Sequence, residues 1–356
     1  MIDLFNTIIK EEKLHRNFKK VRDDFWGYEP ARKTLNEVYN SITDIDPDFL
    51  KQFQGEGFDA RIWELYLAAT FQDLQFKIHR NYARPDFELE KDNKKIFVEA
   101  VTSNPGTDDE LKDKTDIFAD LNEKNIMQFI YDLREKSMVK LAGALYNKLK
   151  KEYWNLEWVK NNPLILAVEP FHHSMAHLLS DSNLNEYLYG VKYFHHYDEK
   201  GNLQVQARTV IEYQIGNKII PANFFKQPNA EFISAVVFSN SGTIAKFNRM
   251  GKLKGYGDSN IKMIRIGNQH LHDPNATDPL LFKYTVGENG PMESWAQGIS
   301  MYHNPQAIHP IERKLFPDIL HGYFDTHFYA HVPPFYPYQS ETHVIIPEEY
   351  KDKKKS

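Results

Sequence analysis

The sequence predicts one large α/β domain built around a mixed sheet. Three features predict this class: a helical pattern at 60–74 leads into short β-rich segments, a longer helical pattern occupies 124–153, and continuous apolar runs lie at 164–171 and 232–239. Helices that alternate with fully apolar strands are typical of a sheet buried between helical layers.

The first part of the chain is predicted to be helical. Residues 1–50 look helical and peripheral, and the segment ARIWELYLAATFQDL carries Ile62, Leu65 and Ala69 near helical spacing. That spacing places apolar side chains on one face of a helix. The segment is therefore predicted to be a helix with one buried face, and a short strand follows at 75–80.

The next elements are a hairpin, a long helix and buried strands. The β-rich runs PDFELE and KKIFVEAVT are separated only by a turn at Asp92-Asn93, which predicts a β-hairpin. The periodic pattern at 124–153 predicts the longest helix, and the following NNP ends it. The two apolar runs then predict buried strands of the same sheet.

The remaining chain is rich in strand-like runs, glycine and aromatic residues, with turn sequences such as SNSG and PNATDP. We see no linker that separates it from the rest. The predicted organisation is a single domain comprising a helical region at 1–54, a core at 55–240 and a β-rich extension at 241–356.

Composition limits the function. The formal net charge of −5 and the pI near 6.3 do not describe a polycation, so a nucleic-acid site would have to be a local basic groove. The chain has no cysteine, which excludes thiolate nucleophiles and is consistent with a reducing, cytoplasmic setting. The start has no small-residue cleavage site and no apolar run approaches about 18 residues, so we expect neither secretion nor a membrane span.

Two carboxylates stand out in the predicted hairpin. Asp86 begins the first strand and Glu99 interrupts the apolar second strand, where an unpaired charge is costly. Two carboxylates on neighbouring strands can converge on a hard cation such as Mg²⁺, which polarises a phosphate and lowers the pKa of a water. The alternatives are that Asp86 simply begins a strand after a proline, and that Glu99 belongs to a structural ion pair.

These residues resemble the PD-(D/E)XK nuclease superfamily, which includes many restriction endonucleases. The resemblance rests on Glu64 in RIWELYL, on Pro85-Asp86 and on Glu99 in IFVEAV, and it covers roughly residues 60–170. It implies an αβββαβ core in which Asp86 and Glu99 hold Mg²⁺ or Mn²⁺ and Glu64 contacts the metal through water. It further implies hydrolysis of DNA, in a bacterial restriction or defence role, and a homodimer is consistent with cutting two strands.

The sequence departs from the family pattern at one position. Two residues after Glu99 the family expects lysine, and Val101 stands there instead. Some members supply the lysine from the following helix, and Lys148 lies in line with apolar neighbours on that helix, so we predict Lys148 as the substitute, with Lys140 and Arg134 next. The alternative is that the aliphatic stem of Lys148 crosses an apolar face and the amine reaches water.

If the missing lysine has abolished catalysis, the same fold would be a module that binds nucleic acid or protein without cutting. A weaker hypothesis is a zinc hydrolase, because EPFHHSMAHLL places His173 and His177 one helical turn apart near Glu169 and His172. The later histidine-rich loops are predicted to be surface or packing segments rather than ligands, and the alternative is a helper role near the cleft. They contain His270, His272, Asp273, His303 and His309.

The segment SNSGTIAKFNRMGKLKGYG is the predicted nucleic-acid contact. It interleaves Lys246, Arg249, Lys252 and Lys254 with aromatic residues. Basic groups contact phosphates and aromatic faces can stack bases. The alternative is a solvated hairpin edge protected by lysines.

Overall fold

A computed structural model describes residues 2–42, 46–103, 123–171, 175, 180–215, 218–348 and 350. The helices are α1 (Arg16–Asp23), α2 (Phe25–Ser41), α3 (Phe49–Gln54), α4 (Phe58–Asp73), α5 (Glu123–Leu149), α6 (Ser182–Tyr189) and α7 (Ile244–Leu253). The strands of the main sheet are β1 (Lys77–His79), β2 (Phe87–Lys91), β3 (Lys94–Ser103), β4 (Leu164–Pro170), β9 (Ala235–Ser239), β12 (Ile299–His303), β13 (Leu320–Phe324) and β14 (Phe328–His331). The other strands are β5 (Val191–Tyr197), β6 (Leu203–Thr209), β7 (Glu212–Ile215), β8 (Lys218–Pro221), β10 (Lys262–Gln269), β11 (Leu280–Thr285) and β15 (Pro337–Ile345).

Within the described residues, eight strands form one mixed sheet in the order β1-β2-β3-β4-β9-β12-β13-β14. β2 is antiparallel to β1 and β3, whereas β4 runs parallel to both β3 and β9. The prediction of an α/β protein with a mixed central sheet is therefore confirmed. The predicted hairpin is β2–β3, and its turn residues Asp92 and Asn93 adopt φ values of 52° and 58°, which short polar side chains tolerate better than other residues.

The C-terminal region completes this sheet. β12 pairs antiparallel with β9, and β13 and β14 follow beyond it. The 241–356 segment is thus part of the central sheet as well as an extension of it, because three of its strands lie in hydrogen-bonding order with the strands of the 55–240 segment. A separate three-stranded sheet, β11-β10-β15, packs its own small apolar cluster.

Two apolar layers cover the two faces of the main sheet. One face packs against α4 and the N-terminal helices, and the other packs against α5 and α6. Side chains alternate between the faces along each strand: on β3, Val98 belongs to the first layer and Val101 to the second. Glu99 therefore projects toward α5.

The N-terminal helices are more central than the sequence predicted. Phe18, Leu35 and Phe53 are all fully buried in the first apolar layer. These helices form an outer layer over α4, which is itself buried over most of its surface, so the side chains on their inner faces belong to the core. Among the described helices, none is both long and apolar enough to cross a bilayer.

Candidate active site at the start of β2

Asp86 stands immediately before β2, beside the middle of β3. Its Oδ2 atom accepts a hydrogen bond of 2.7 Å from the backbone N–H of Ala100, the residue after Glu99. Burial, followed by the nearby negative charges of Glu99 and Glu64, raises the pKa of the Asp86 carboxyl well above its usual range. The Asp86 carboxyl therefore lies close to Glu99, and a cation bound beside both acids would offset their mutual repulsion.

Glu99 is buried at the centre of this group. Its Oε1 atom accepts a hydrogen bond of 2.5 Å from Lys148 Nζ and one of 2.7 Å from the Tyr153 hydroxyl. Its Oε2 atom is buried without a hydrogen-bond partner among the described residues. An unpartnered carboxylate oxygen inside a protein is costly, so one side of Glu99 is satisfied and the other is available to a ligand.

The lysine amine reaches the acids from the helix and not from the strand. Val101 packs in the apolar layer under α5, whereas Lys148 lies in the last turn of α5 and extends to Glu99. Its side chain remains 30% exposed, so the amine sits between the buried acid and solvent. The structure thus brings together the predicted residues Asp86, Glu99 and Lys148.

Glu64 lies on α4 and is fixed by a different cation. Arg61, one turn earlier, binds both carboxylate oxygens of Glu64 at 3.0 and 2.8 Å. Burial raises the pKa of the Glu64 carboxyl, and the positive charge of Arg61 partly offsets that rise. Glu64 is close enough to influence the charge of Asp86, but its oxygens are already bound to arginine.

Asp86 and Glu99 form a suitable donor set for a hard divalent cation. Carboxylate oxygens are the ligands that Mg²⁺ prefers, and Mg²⁺ is usually held by one or two carboxylates, with water and substrate phosphate completing its shell. The free Oε2 atom of Glu99 and the raised pKa of Asp86 both fit a cation placed between them. No group of three or more acidic or histidine side chains with metal-ligand geometry exists among the described residues, so these two would be the protein ligands.

Several residues of this region escaped the sequence interpretation. Tyr153 follows α5 and contacts Glu99, and nothing in the sequence around it indicates that contact. Tyr82 and Trp158 stack with ring centroids 4.3 Å apart and planes within 4° of parallel. The indole N–H of Trp158 donates to the backbone carbonyl of Arg84 at 2.9 Å, which ties the segment after α5 to the loop that precedes Asp86.

The other two candidates for the missing lysine were Lys140 and Arg134. Among the described residues, no contact joins either of them to Asp86 or Glu99. Arg134 donates to the side chain of Asn183 at 2.8 Å, on the surface between α5 and α6. Lys140 lies two turns before Lys148 on α5 and is partly buried. Lys148 is the α5 cation whose contact with Glu99 the structure shows.

The predicted basic segment requires a correction. It forms α7 and not a hairpin edge, and Lys246 and Arg249 are buried with exposures of 0% and 3%. Both side chains bind Glu293 at 2.8 Å. They are therefore unavailable to phosphates, because a buried acid elsewhere in the chain neutralises them.

The two remaining cations of that segment also have protein partners. Lys252 donates to the backbone carbonyl of Asp258 at 2.7 Å, and Lys254 forms an exposed ion pair of 2.7 Å with Glu37. Lys254 is the more exposed of the two and still faces solvent. The prediction that Lys252 and Lys254 contact nucleic acid remains a prediction.

The histidine hypotheses have separate outcomes. His172, His173 and His177 lie outside the described residues, so the zinc prediction gains no structural account. His303 is buried in β12 and not in a surface loop. It contacts His321 of β13, with Nε2 2.9 Å from Nδ1.

Comparisons with known proteins found no relative of this chain. No family model matches the chain, and no curated protein or solved structure shows significant similarity to it. The residues and their geometry therefore carry the functional interpretation.

Proposed function

We propose that the protein is a metal-dependent nuclease of the PD-(D/E)XK type, acting on DNA. The observation that carries the proposal is the contact of Lys148 Nζ with Glu99 beside Asp86. A buried strand carries the acid, and a helix distant in sequence supplies the amine that Val101 on the strand does not. Two acids and one lysine at one spot are the groups that metal-assisted phosphodiester hydrolysis needs.

The order of elements supports the same proposal. α4, β1, β2, β3, α5 and β4 follow one another as helix, three strands, helix and strand. β1, β2 and β3 form an antiparallel meander, and β4 lies parallel to β3. This arrangement agrees with the αβββαβ core implied by the resemblance.

The side chains would divide the chemistry between them. Asp86 and Glu99 would hold Mg²⁺ or Mn²⁺, which supplies polarisation of the phosphate and a water of lowered pKa. Lys148 would place its ammonium against the negative charge that develops on the phosphate in the transition state. Tyr153 would hold the orientation of Glu99 through its 2.7 Å hydrogen bond, and Arg61 would keep Glu64 next to the acids.

The surface next to these groups suits a nucleic acid. Tyr82 is 40% exposed where it stacks on Trp158, and a base can stack on such a ring. Lys150 and Lys151 are exposed directly after α5 and can contact phosphates. This surface replaces Lys246 and Arg249 as the proposed contact, and a cytoplasmic, dimeric DNA-cleaving protein remains the proposal.

One observation favours a second function, that of a module that binds nucleic acid without cutting it. Glu64 is occupied by Arg61, and the described residues offer two carboxylates and not three around the proposed metal position. A protein of this second kind would bind nucleic acid with strong salt dependence and show no turnover.

The deciding experiment is cleavage of plasmid, linear duplex, single-stranded DNA and RNA with Mg²⁺, Mn²⁺ or EDTA. We expect metal-dependent cleavage by the wild type and its loss in Asp86→Asn and Glu99→Gln. Glu90→Gln is the matched control, because Glu90 lies on β2 and pairs with His79. Full activity of Asp86→Asn would overturn the proposal, and binding without cleavage of any substrate would favour the second function.

A further inference from the structure

A large cavity lies beyond the carboxyl end of β4, on the opposite face of the sheet from Glu99. Its volume is about 1420 Å³, and its wall is formed by residues from the segment before α1, from α1, α3, α4 and α7, from the end of β4 and from β15. The volume is sufficient for a small organic molecule. The proposed nuclease residues Asp86, Glu99 and Lys148 are not part of this wall.

Glu169 is the most unusual residue of the wall. It is 1% exposed, and neither of its carboxylate oxygens has a hydrogen-bond partner of normal geometry within the described part of the chain. Burial raises the pKa of its carboxyl well above the usual range, and the backbone N–H of Gly242 only partly offsets that rise. Two buried carboxyl oxygens without hydrogen-bond partners destabilise the folded state. A ligand whose N–H groups donate to them would remove that destabilisation.

The backbone beside Glu169 is shaped around that carboxyl. A methyl group added at Gly242 would lie 2.0 Å from Glu169 Oε2 and 2.8 Å from the ring of Trp63. No residue other than glycine fits there without moving the acid. Trp63 itself is fixed, because its indole N–H donates to the carbonyl of Ala167 on β4 at 3.0 Å.

Two further polar side chains line the same wall. Asp59, at the start of α4, is close enough for its negative charge to contribute to the raised pKa of Glu169, and burial raises its own pKa to about 6. The Nδ1 atom of His15 is buried without a partner in the described structure, and burial lowers the pKa of this imidazole to about 4. His15 also stacks on Phe58 at 4.9 Å, which keeps the ring against the wall.

The inner wall therefore offers acceptors, whereas the mouth is mixed in charge. Exposed Lys13, Arg16, Lys20 and Lys51 line the mouth together with exposed Glu12 and Glu56. The positive charge of Arg16 partly offsets the rise in the pKa of Asp59. Charges of both signs at the mouth select neither anions nor cations strongly. Selectivity must come from the acceptors inside.

We propose that this cavity binds a small organic cation with N–H donors, an amine or a guanidinium, and that Glu169 and Asp59 are the residues that receive it. Primary ammonium and guanidinium groups carry several N–H donors each, which matches the oxygen acceptors of Glu169 and Asp59. Charge-assisted hydrogen bonds to a carboxylate are among the stronger polar contacts in proteins. Phe58 and Phe171 would cover the hydrocarbon part of the ligand. The inference does not depend on the nuclease proposal, because the two sites share none of the residues named here.

The test is calorimetric titration and thermal unfolding of the full chain with putrescine and with agmatine. 1,4-Butanediol is the matched neutral probe, because it has the length of putrescine with hydroxyl groups in place of the amines. We expect one of the two cations to bind and to raise the unfolding temperature, and the diol to do neither. Absence of binding by both cations at millimolar concentration, or equal binding of the diol, would overturn the proposal.

Variants locate the binding. Glu169→Gln keeps the shape of the side chain and removes its ability to ionise against a bound cation, and we expect it to weaken cation binding by about tenfold or more. Asp59→Asn is the second variant, should Glu169→Gln fail to fold. Glu12→Gln removes an exposed acid from the mouth of the same cavity, and it should bind as the wild type does. Unchanged affinity in both Glu169→Gln and Asp59→Asn would show that the cation binds elsewhere and would overturn the assignment.

Discussion

At the scale of single residues, Lys148 is the group on which the proposed chemistry depends most directly. Its amine is the cation that the structure places on Glu99, at 2.5 Å. Lys148→Met keeps most of the aliphatic stem and removes that cation. We expect metal-dependent cleavage to fall by roughly 10²- to 10³-fold, which is typical when one group that stabilises transition-state charge is removed.

The matched control for that prediction is Lys150→Met. Lys150 lies two residues further on, is exposed and contacts the ring of Tyr146 rather than the acids. It loses the same charge from the same surface, so we expect a decrease in DNA affinity with little change in kcat. Equal losses of kcat in the two variants, measured by single-turnover cleavage, would show that Lys148 acts only through the general positive field.

The buried His303–His321 pair gives a pH prediction. His321 Nε2 lies 2.8 Å from the carbonyl of Phe316 and must donate to it, so His321 Nδ1 accepts from His303 Nε2–H. Burial lowers the pKa of His303 to about 3 and that of His321 to about 4. Both imidazoles are therefore neutral in the folded protein near neutral pH.

A histidine whose pKa is lower in the folded state stabilises the protein above its unfolded pKa, and the effect is lost as the pH falls through the folded pKa. We expect the free energy of unfolding to fall by roughly 2 kcal/mol per histidine between about pH 7.5 and about pH 5. Urea unfolding at the two pH values measures it. His303→Asn should show a smaller pH dependence, and an equal dependence in variant and wild type would contradict the assignment.

At the scale of elements, α7 is joined to β10 by a buried cluster around Glu293. Lys246 and Arg249 of α7 and Arg265 of β10 lie 2.8, 2.8 and 3.3 Å from its carboxylate. The three cations keep the pKa of the Glu293 carboxyl well below its usual range despite the burial. This carboxylate is the common counter-charge of all three.

Glu293→Gln would leave those buried cations without a counter-charge. We expect a loss of roughly 3–5 kcal/mol in the free energy of unfolding, since removing one partner of a buried ion pair strands the other. Glu288→Gln is the control, because Glu288 pairs with Lys262 in an exposed position and should cost less than about 1 kcal/mol. Similar unfolding midpoints in denaturant for both variants would contradict the structural role of Glu293.

The same cluster shows where the sequence was informative and where it was not. Local patterns predicted the β2–β3 hairpin and the α4 and α5 helices, because turn chemistry and side-chain period are properties of a few adjacent residues. The burial of Lys246 depends on Glu293, 47 residues away, and no local pattern reports that distance. The basic residues Lys246 and Arg249 were therefore predicted to lie on the surface, whereas the structure buries them.

The candidate site divides in the same way. Glu99 could be proposed from the sequence because a charge inside an apolar strand is conspicuous, Asp86 because Pro85-Asp86 resembles the family motif, and Lys148 because it lies in line with the apolar face of α5. Tyr153 could not be proposed, because its contact with Glu99 depends on how the chain turns after α5. The cavity was missed for the same reason: the sequence singled out Glu169 only as a neighbour of the candidate zinc histidines, and its unpartnered oxygens are a property of the folded chain.

At the scale of the whole molecule, the 55–240 segment does not contain a complete core. α2 and α7 are joined by Asn248, whose side chain accepts from the N–H of Ala31 at 3.0 Å and donates to the carbonyl of Gly27 at 2.8 Å. Trp295 and Phe316, from the C-terminal region, share the first apolar layer with Phe18 and Phe53. The N-terminal and C-terminal regions thus close one face of the sheet together.

We expect a fragment of residues 55–240 to lack cooperative folding. Without β12 it exposes the edge of β9, a fully buried apolar strand, and such an edge invites aggregation. Circular dichroism during heating and size-exclusion chromatography measure the outcome. The matched control replaces 195–206 of the exposed β5–β6 hairpin with a short turn, and that protein should unfold cooperatively near the wild-type temperature. A soluble 55–240 fragment that unfolds cooperatively would show instead that β1–β4, β9 and their helices fold alone, and that the strands after residue 240 are not needed for a stable core.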